Sequence, residues 1–207
     1  MNNISAIILA AGTSSRMGSV KQLLPLGNKP LLKHVIDKVT AEDFSEIIVV
    51  IGYESKNIKR RIAFTDERIR WVENTEYRSG QSSSLRCGFQ NLKETDRNVM
   101  VFLGDLPFVS CSTIKRVYEM GQKQLSIFNE PFVIRPQYND IKGHPVFFGR
   151  LQVKLFSSLQ GDHGGKMIMK QISHQMTIEV EDEGILSDID TPEAYEKAKL
   201  ALKGFHF

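Results

Sequence analysis

Three short runs of this 207-residue chain are apolar without alternation: Ala6–Ala10, the EIIVVI of Glu46–Ile51 and the VMVFL of Val99–Leu103. A strand with one wet face alternates polar and apolar residues, whereas an unbroken Ile- and Val-rich run suits a strand covered on both faces. Ile69–Val72 adds a fourth, shorter strand. Between these runs lie amphipathic segments. Lys29–Thr40 places Leu31, Leu32, Val35, Ile36 and Val39 at helical spacing, and Ser55–Phe64 and Ser82–Lys93 read the same way. Strand and helix in alternation imply βαβ units, hence an α/β chain with a mostly parallel sheet flanked by helices.

The second half is less regular. Pro131–Pro136 and His144–Gly149 read as strands, with an antiparallel pair in view, and Met176–Asp182 as another. Thr191–Lys203 reads as a closing helix, with Thr191 to cap it, Pro192 at the first helical position and Glu193 in the first turn. No repeat, low-complexity segment or linker interrupts the chain. One domain over residues 1–207 is expected.

Composition narrows the function classes. A net charge of +3 falls short of the basic stripe of a nucleic-acid-binding domain and suits small anionic ligands. No apolar run approaches the roughly 18 residues of a membrane span. The N-terminus lacks the basic region of a signal peptide, so a cytoplasmic protein is expected, with neither nucleic acid nor membrane as partner. Cys87 and Cys111, 24 positions apart, form neither a zinc motif nor a disulfide framework, and the five histidines show no metal spacing. Lys56–Arg61 reads as a solvated helix face, and Trp71, Met167 and Met169 as packing residues.

Leu9, Ala10 and Ala11 lead from the first strand into Gly12, Thr13, Ser14, Ser15 and Arg16, with Lys21 just beyond. Parallel sheets bind ligands at the carboxyl ends of their strands. A small-residue loop there offers backbone N–H groups and hydroxyls to an anion, and two cations complete a triphosphate cradle. Two known phosphate loops do not match. Five residues separate Gly12 from Gly18, with Ser19 where a Walker loop has lysine, and the G-x-G-x-x-G pattern is absent. Asp105 closes the strand Val99–Leu103 after Gly104, where a carboxylate can face the same edge and hold the magnesium that accompanies a nucleoside triphosphate. Asp188 and Asp190 alternate, so either can supply a second carboxylate, and Asp190 can equally cap the closing helix. Gly80 precedes Ser82, Ser83 and Ser84 at a helix start, which suits either simple capping or contact with a nucleotide. Gly143, His144 and Pro145 form an extended segment. Gly161, Asp162, Gly164 and Gly165 form either a substrate loop or a turn before a helix.

The segment LAAGTSSRMGSVKQLLPLGNKPLL resembles the signature of the MobA-like nucleotidyltransferases, and the resemblance runs along nearly the whole chain. FLGDLPFVS is similar to the family's G-D-[MQ]-P segment, with Leu106 as a departure. GHPVFF, LQGDHGGKMIM and DIDTPEAY are similar to the molybdenum cofactor cytidylyltransferase branch, which includes PucB-type accessory proteins of purine catabolism. The resemblance implies a Rossmann-like fold of the nucleotide-diphospho-sugar transferase type, with a nucleotide-binding half of about 1–110 and an acceptor-binding half of about 111–207. It implies transfer of CMP from CTP to the terminal phosphate of molybdopterin, with release of pyrophosphate and with Mg2+ on Asp105 and a C-terminal aspartate. Arg16 and Lys21 would neutralise the triphosphate, and Ser82–Ser84 would meet the base. The His144 and Gly161–Gly165 segments would hold the pterin. A molybdenum hydroxylase such as xanthine dehydrogenase would be the client. Ala11, where guanylyl members tend to have glycine, narrows the space beside the base and favours a pyrimidine. A sugar- or polyol-phosphate cytidylyltransferase and a non-catalytic cofactor carrier remain as alternatives.

Overall fold

The computed structural model describes residues 3–93, 98–152 and 165–204. Ten strands and six α-helices are found among them, with chain-order labels as follows. The strands are β1 (Ser5–Ala10), β2 (Pro25–Leu26), β3 (Lys29–Pro30), β4 (Glu46–Ile51), β5 (Ile69–Glu73), β6 (Val99–Leu103), β7 (Phe132–Tyr138), β8 (Ile141–Lys142), β9 (Val146–Gly149) and β10 (His174–Glu179). The helices are α1 (Leu31–Thr40), α2 (Ser55–Arg61), α3 (Gln81–Gln90), α4 (Cys111–Leu125), α5 (Lys166–Lys170) and α6 (Pro192–Gly204). The main sheet runs β10-β7-β9-β6-β1-β4-β5, with β8 paired to β7. Strands β6, β1, β4 and β5 are mutually parallel, and β10 is parallel to β7. β9 runs against both of its neighbours. The result is the mostly parallel α/β sheet expected from the sequence.

The unbroken apolar runs are explained by two cores, one on each face. Ala6, Ile8, Ile47, Val49, Met100 and Phe102 pack on one side with Leu32, Val35, Ile36 and Val39 of α1 and with Ile114 and Val117 of α4. Their neighbours Ile7, Ile48, Val50, Val99 and Val101 pack on the other side with Leu85 and Phe89 of α3. Each successive residue therefore meets a helix, and none of these strand residues faces water. Gly88 lets α3 lie close to the sheet: a β-carbon there would stand 2.8 Å from Ile7 Cγ2 and 3.2 Å from Val50 Cγ2.

The expected antiparallel pair is present, with Ile134 opposite Phe147. Several boundaries differ from expectation. α1 begins at Leu31 because Lys29 and Pro30 pair with Pro25 and Leu26 in a small hairpin. α2 stops at Arg61, where Ile62 turns extended and buries itself. The strand expected over Met176–Asp182 is instead His174–Glu179. Asp182 leaves the sheet, accepting hydrogen bonds from the Ser110 N–H at 2.9 Å, Thr113 Oγ1 at 2.6 Å and the Gly184 N–H at 3.0 Å. Thr191 does cap α6, its hydroxyl accepting from the Ala194 N–H at 3.2 Å. Trp71 packs partly buried against the core, as does Met169, whereas Met167 is exposed. α4, which the sequence reading did not anticipate, is capped by Ser110, which accepts from the Thr113 N–H. No helix among the described residues is long and apolar enough to cross a membrane.

Candidate active site

Strands β1 and β6 end side by side, and the Gly104 N–H donates to the Leu9 carbonyl at 2.8 Å. A β-carbon on Gly104 would stand 2.9 Å from that of Ala10, so the two strand ends meet with no room for a larger residue. The loop after β1 is held from beneath by Gln22, only 3% exposed. Its carboxamide donates to the carbonyls of Ala10 at 2.8 Å and Gly12 at 3.2 Å and accepts from the Ser14 hydroxyl at 3.4 Å. Ser14 adopts a left-handed φ of 55°. Its hydroxyl accepts from the Lys21 N–H at 3.1 Å, which folds the loop back onto itself.

Charges converge above this platform. Lys21 Nζ donates to Asp105 Oδ2 at 2.8 Å and also bonds Asp190. Arg16 Nη2 donates to Asp190 Oδ2 at 2.8 Å. The segment bearing Asp190 is tied down where the Ile189 N–H donates to the Asp105 carbonyl at 3.0 Å, while Ile189 itself is buried with Leu26, Leu31 and Ala198. Burial opposes the charge on Lys21, but the two carboxylates more than offset it and its pKa is raised. Burial likewise acts against the Asp190 carboxylate, and Lys21 and Arg16 reverse that, holding its pKa low. Asp188 is exposed, and desolvation together with the nearby negative charges of Asp190 and Asp105 raises its pKa. Of the two alternating aspartates, Asp190 meets the cations, and Thr191 takes the capping role.

A cleft of about 370 Å3 opens over these groups. Leu9, Ala11, Gly12, Thr13, Ser14, Ser15, Arg16, Lys21, Gly80, Ser84, Asp105 and Asp190 all line it. Ala10 does not, because its side chain is in the core and its carbonyl is engaged by Gln22. Ser82 and Ser83 depart from expectation: both are buried on the inward side of α3. Ser83 donates to the Gly80 carbonyl at 2.8 Å and accepts from Asn74 Nδ2 at 2.9 Å. The helix period turns only Gln81 and Ser84 toward the cleft. Tyr77 and Arg78 also line it, and sequence patterning drew no attention to them.

A smaller cleft of about 190 Å3 adjoins the first and shares Leu9, Gln81 and Leu103 with it. His144 and Gly165 line this second cleft. Gly143 and Pro145 are buried beside it, and Gly143 is required by packing, since a β-carbon would stand 2.6 Å from the Ile185 carbonyl oxygen. Gly161, Asp162 and Gly164 lie outside the described residues. Burial, reinforced by the charge of Arg135, lowers the His144 pKa to about 4 against a backbone hydrogen bond to Val101. Its imidazole is therefore neutral at pH 7, and Nδ1 is sealed from water without a partner.

The other sealed, unpartnered polar atom at this edge is Asp105 Oδ1. A buried carboxylate oxygen without a donor is costly, and a cation is the partner that suits it. Among the described residues no group of three His, Cys, Asp or Glu side chains converges. A metal on Asp105 and Asp190 would therefore take further oxygens from a phosphate ligand, the usual habit of magnesium.

A family model described as "MobA-like NTP transferase domain" matches residues 6–176. The Escherichia coli molybdenum cofactor cytidylyltransferase is 28% identical over 200 residues, 96% of this chain and 97% of that one. The bifunctional protein GlmU of Psychrobacter is 34% identical over 128 residues, 61% of this chain but 27% of its own length. The chain thus spans only about a quarter of that relative. Among solved structures, Rv0371c of Mycobacterium tuberculosis superposes with a TM-score of 0.80 at 26% identity, covering 96% of this chain and 98% of that one. A complex of that protein with manganese superposes with a TM-score of 0.76.

Proposed function

We propose, since the chain belongs to the MobA-like NTP transferase family, that it transfers CMP from CTP to the terminal phosphate of molybdopterin or molybdenum cofactor. The full-length likeness to the E. coli cytidylyltransferase supports this choice of acceptor. In the reaction a phosphate oxygen of the acceptor attacks the α-phosphorus of CTP in line. The bond from that phosphorus to the bridging oxygen breaks, and pyrophosphate departs with the electron pair. The nucleophile is already an anion at neutral pH, so no protein base is required. Catalysis then consists of positioning and of neutralising charge.

The observation that carries this reading is the Lys21–Asp105–Asp190 cluster beside the Gln22-braced loop, with Asp105 Oδ1 lacking any partner. Arg16 and Lys21 would draw the triphosphate into the loop, whose N–H and hydroxyl groups orient it. Asp105 and Asp190 would hold Mg2+, which when bound neutralises charge on the phosphate oxygens. The manganese complex of the mycobacterial neighbour supports a divalent ion in this fold. Ala11 lines the cleft, and its methyl favours the smaller pyrimidine base. Gln81 and Ser84 replace the serine trio of the sequence reading as the α3 groups nearest the nucleotide. We further read the product as cofactor prepared for a molybdenum hydroxylase such as xanthine dehydrogenase.

The test is pyrophosphate release from purified protein with Mg2+, molybdenum cofactor and each of CTP, GTP, ATP and UTP, alongside Asp105→Ala. Release with CTP alone, with a fall of about 10²–10³ in the variant, is the expected result. Release with GTP would overturn the role given to Ala11. Release with sugar phosphates in place of the cofactor would overturn the acceptor. Failure with every pair would leave a carrier.

A further inference from the structure

The two carboxylates proposed for the divalent ion present four oxygens, and none of them stands open. Lys21 Nζ donates to Asp105 Oδ2 at 2.8 Å and also to Asp190 Oδ1. Arg16 Nη2 donates to Asp190 Oδ2 at 2.8 Å. The remaining oxygen, Asp105 Oδ1, is sealed from water. The Lys21 ammonium therefore bridges the two acids. A magnesium ion shared by both needs their oxygens at about 2.0–2.1 Å, which is the place that Nζ takes. Lys21 is also the better held of the two cations. Its side chain is 13% exposed, against 68% for Arg16, and its backbone N–H donates to the Ser14 hydroxyl. Only the four-carbon stem is left to swing. Thr13, Ser14 and Ser15 line the same cleft, so a phosphate seated in the loop shares that cleft with the ammonium.

We infer that Lys21, seconded by Arg16, is a counter-ion gate: Asp105 and Asp190 accept a divalent ion only once a triphosphate has drawn the two cations away from them. This inference rests on the proposed function in taking Asp105 and Asp190 as the metal pair and the loop as the triphosphate seat. Two partly buried acids stripped of their cations would be left with uncompensated charge, and the gate avoids that in the nucleotide-free protein. Magnesium sheds its water reluctantly, so by itself it competes poorly with an ammonium already in contact with both acids. A triphosphate carries more negative charge than the two carboxylates together and offers Lys21 and Arg16 better acceptors. It also supplies the further oxygens that the acids alone do not provide. Nucleotide therefore binds before the metal or together with it. Because coupling between two ligands is reciprocal, each tightens the other by the same factor.

Mn2+ serves as the probe, read by water-proton relaxation enhancement, which reports the protein-bound ion. Without nucleotide, Mn2+ is expected to bind Lys21→Met at least about ten-fold more tightly than the wild type. Lys21→Arg, which keeps a cation between the acids, should bind it as weakly as the wild type. Arg16→Met alters an exposed side chain, so folding is not at stake; it releases one oxygen and should give a smaller gain. Adding Asp105→Asn to Lys21→Met should abolish the gain. In EDTA, inorganic tripolyphosphate should bind the wild type, and bind Lys21→Met at least about ten-fold more weakly. One substitution thus moves the two ligands in opposite directions, whereas simple damage to the cleft would weaken both. Equal Mn2+ affinity in the wild type and Lys21→Met would overturn the gate. So would a gain that survives Asp105→Asn, or tripolyphosphate binding indifferent to Lys21. If Lys21→Met does not fold, Arg16→Met decides, and no gain there overturns the gate. Neither titration involves a base, an acceptor or turnover, so the gate is judged even if the pyrophosphate assay fails.

Discussion

His144 shows how much of a residue's chemistry its sequence neighbours leave out. The sequence marked it through Gly143 and Pro145, but nothing in those neighbours reveals that its Nδ1 is sealed from water and its ring neutral. That follows from packing against β6 and from Arg135 on strand β7. The consequence can be measured. Unfolded, the ring takes a proton near its ordinary 6.5; folded, it does so only near 4. Between those values the unfolded state holds more protons, so stability is full above pH 6.5 and declines as the pH falls toward 4. Acidification from pH 7 to 5 should cost about 2 kcal/mol through this group. Urea titrations of the wild type should show the loss, and His144→Gln should flatten that part of the profile. At the same scale, Arg16, Lys21 and Asp105 were legible because the chemistry of a triphosphate demands such groups. Gln22 was not, because a lone amide in an apolar stretch has no period and no motif, and its meaning lies in the carbonyls of Ala10 and Gly12 that it reaches.

Elements were legible where their burial was uniform. β1, β4 and β6 are covered on both faces, so their sequences are unbroken and their limits clear. β10 alternates half-buried and exposed residues at the sheet edge, and its end was misplaced because Asp182 and Val180 continue a pattern that the fold abandons. The three serines of α3 illustrate the same difficulty. Composition marks a small polar helix start, but only the helical period, once its phase is known, decides that Ser84 faces the cleft and Ser82 and Ser83 do not. The phase is set by Gly88, the point where α3 touches the sheet. Gly88→Ala should therefore destabilise the fold by about 1–3 kcal/mol through overpacking against Ile7 and Val50. Because α3 carries Gln81 and Ser84, the variant should also bind CTP more weakly. Thermal melts and nucleotide titrations check both. Unchanged stability would show that α3 moves away from the sheet at little cost.

At the scale of the whole molecule, the sheet joins the two halves that the sequence reading distinguished. β9 belongs to the later half, yet it lies between β7 and β6 and bonds to both. We expect the halves to unfold together. Trp71 fluorescence, which reports β5, and far-ultraviolet circular dichroism, which reports every helix, should give coincident urea transitions. Separated midpoints would mean that the later half melts on its own. This joining was only partly visible in the sequence, where an antiparallel pair could be anticipated but not its insertion beside β6. The Arg16–Asp190 pair, which spans 174 positions, carries the same feature into the order of synthesis. Chains fold from their N-terminus as they emerge from the ribosome. The loop after β1 and Asp105 are synthesised while Asp190 is still untranslated. A nascent chain would therefore present Arg16 before it has the carboxylate that pairs with it, while Lys21 already has Asp105. Closing the Arg16–Asp190 pair is thus among the last steps by which the cleft acquires its final charge.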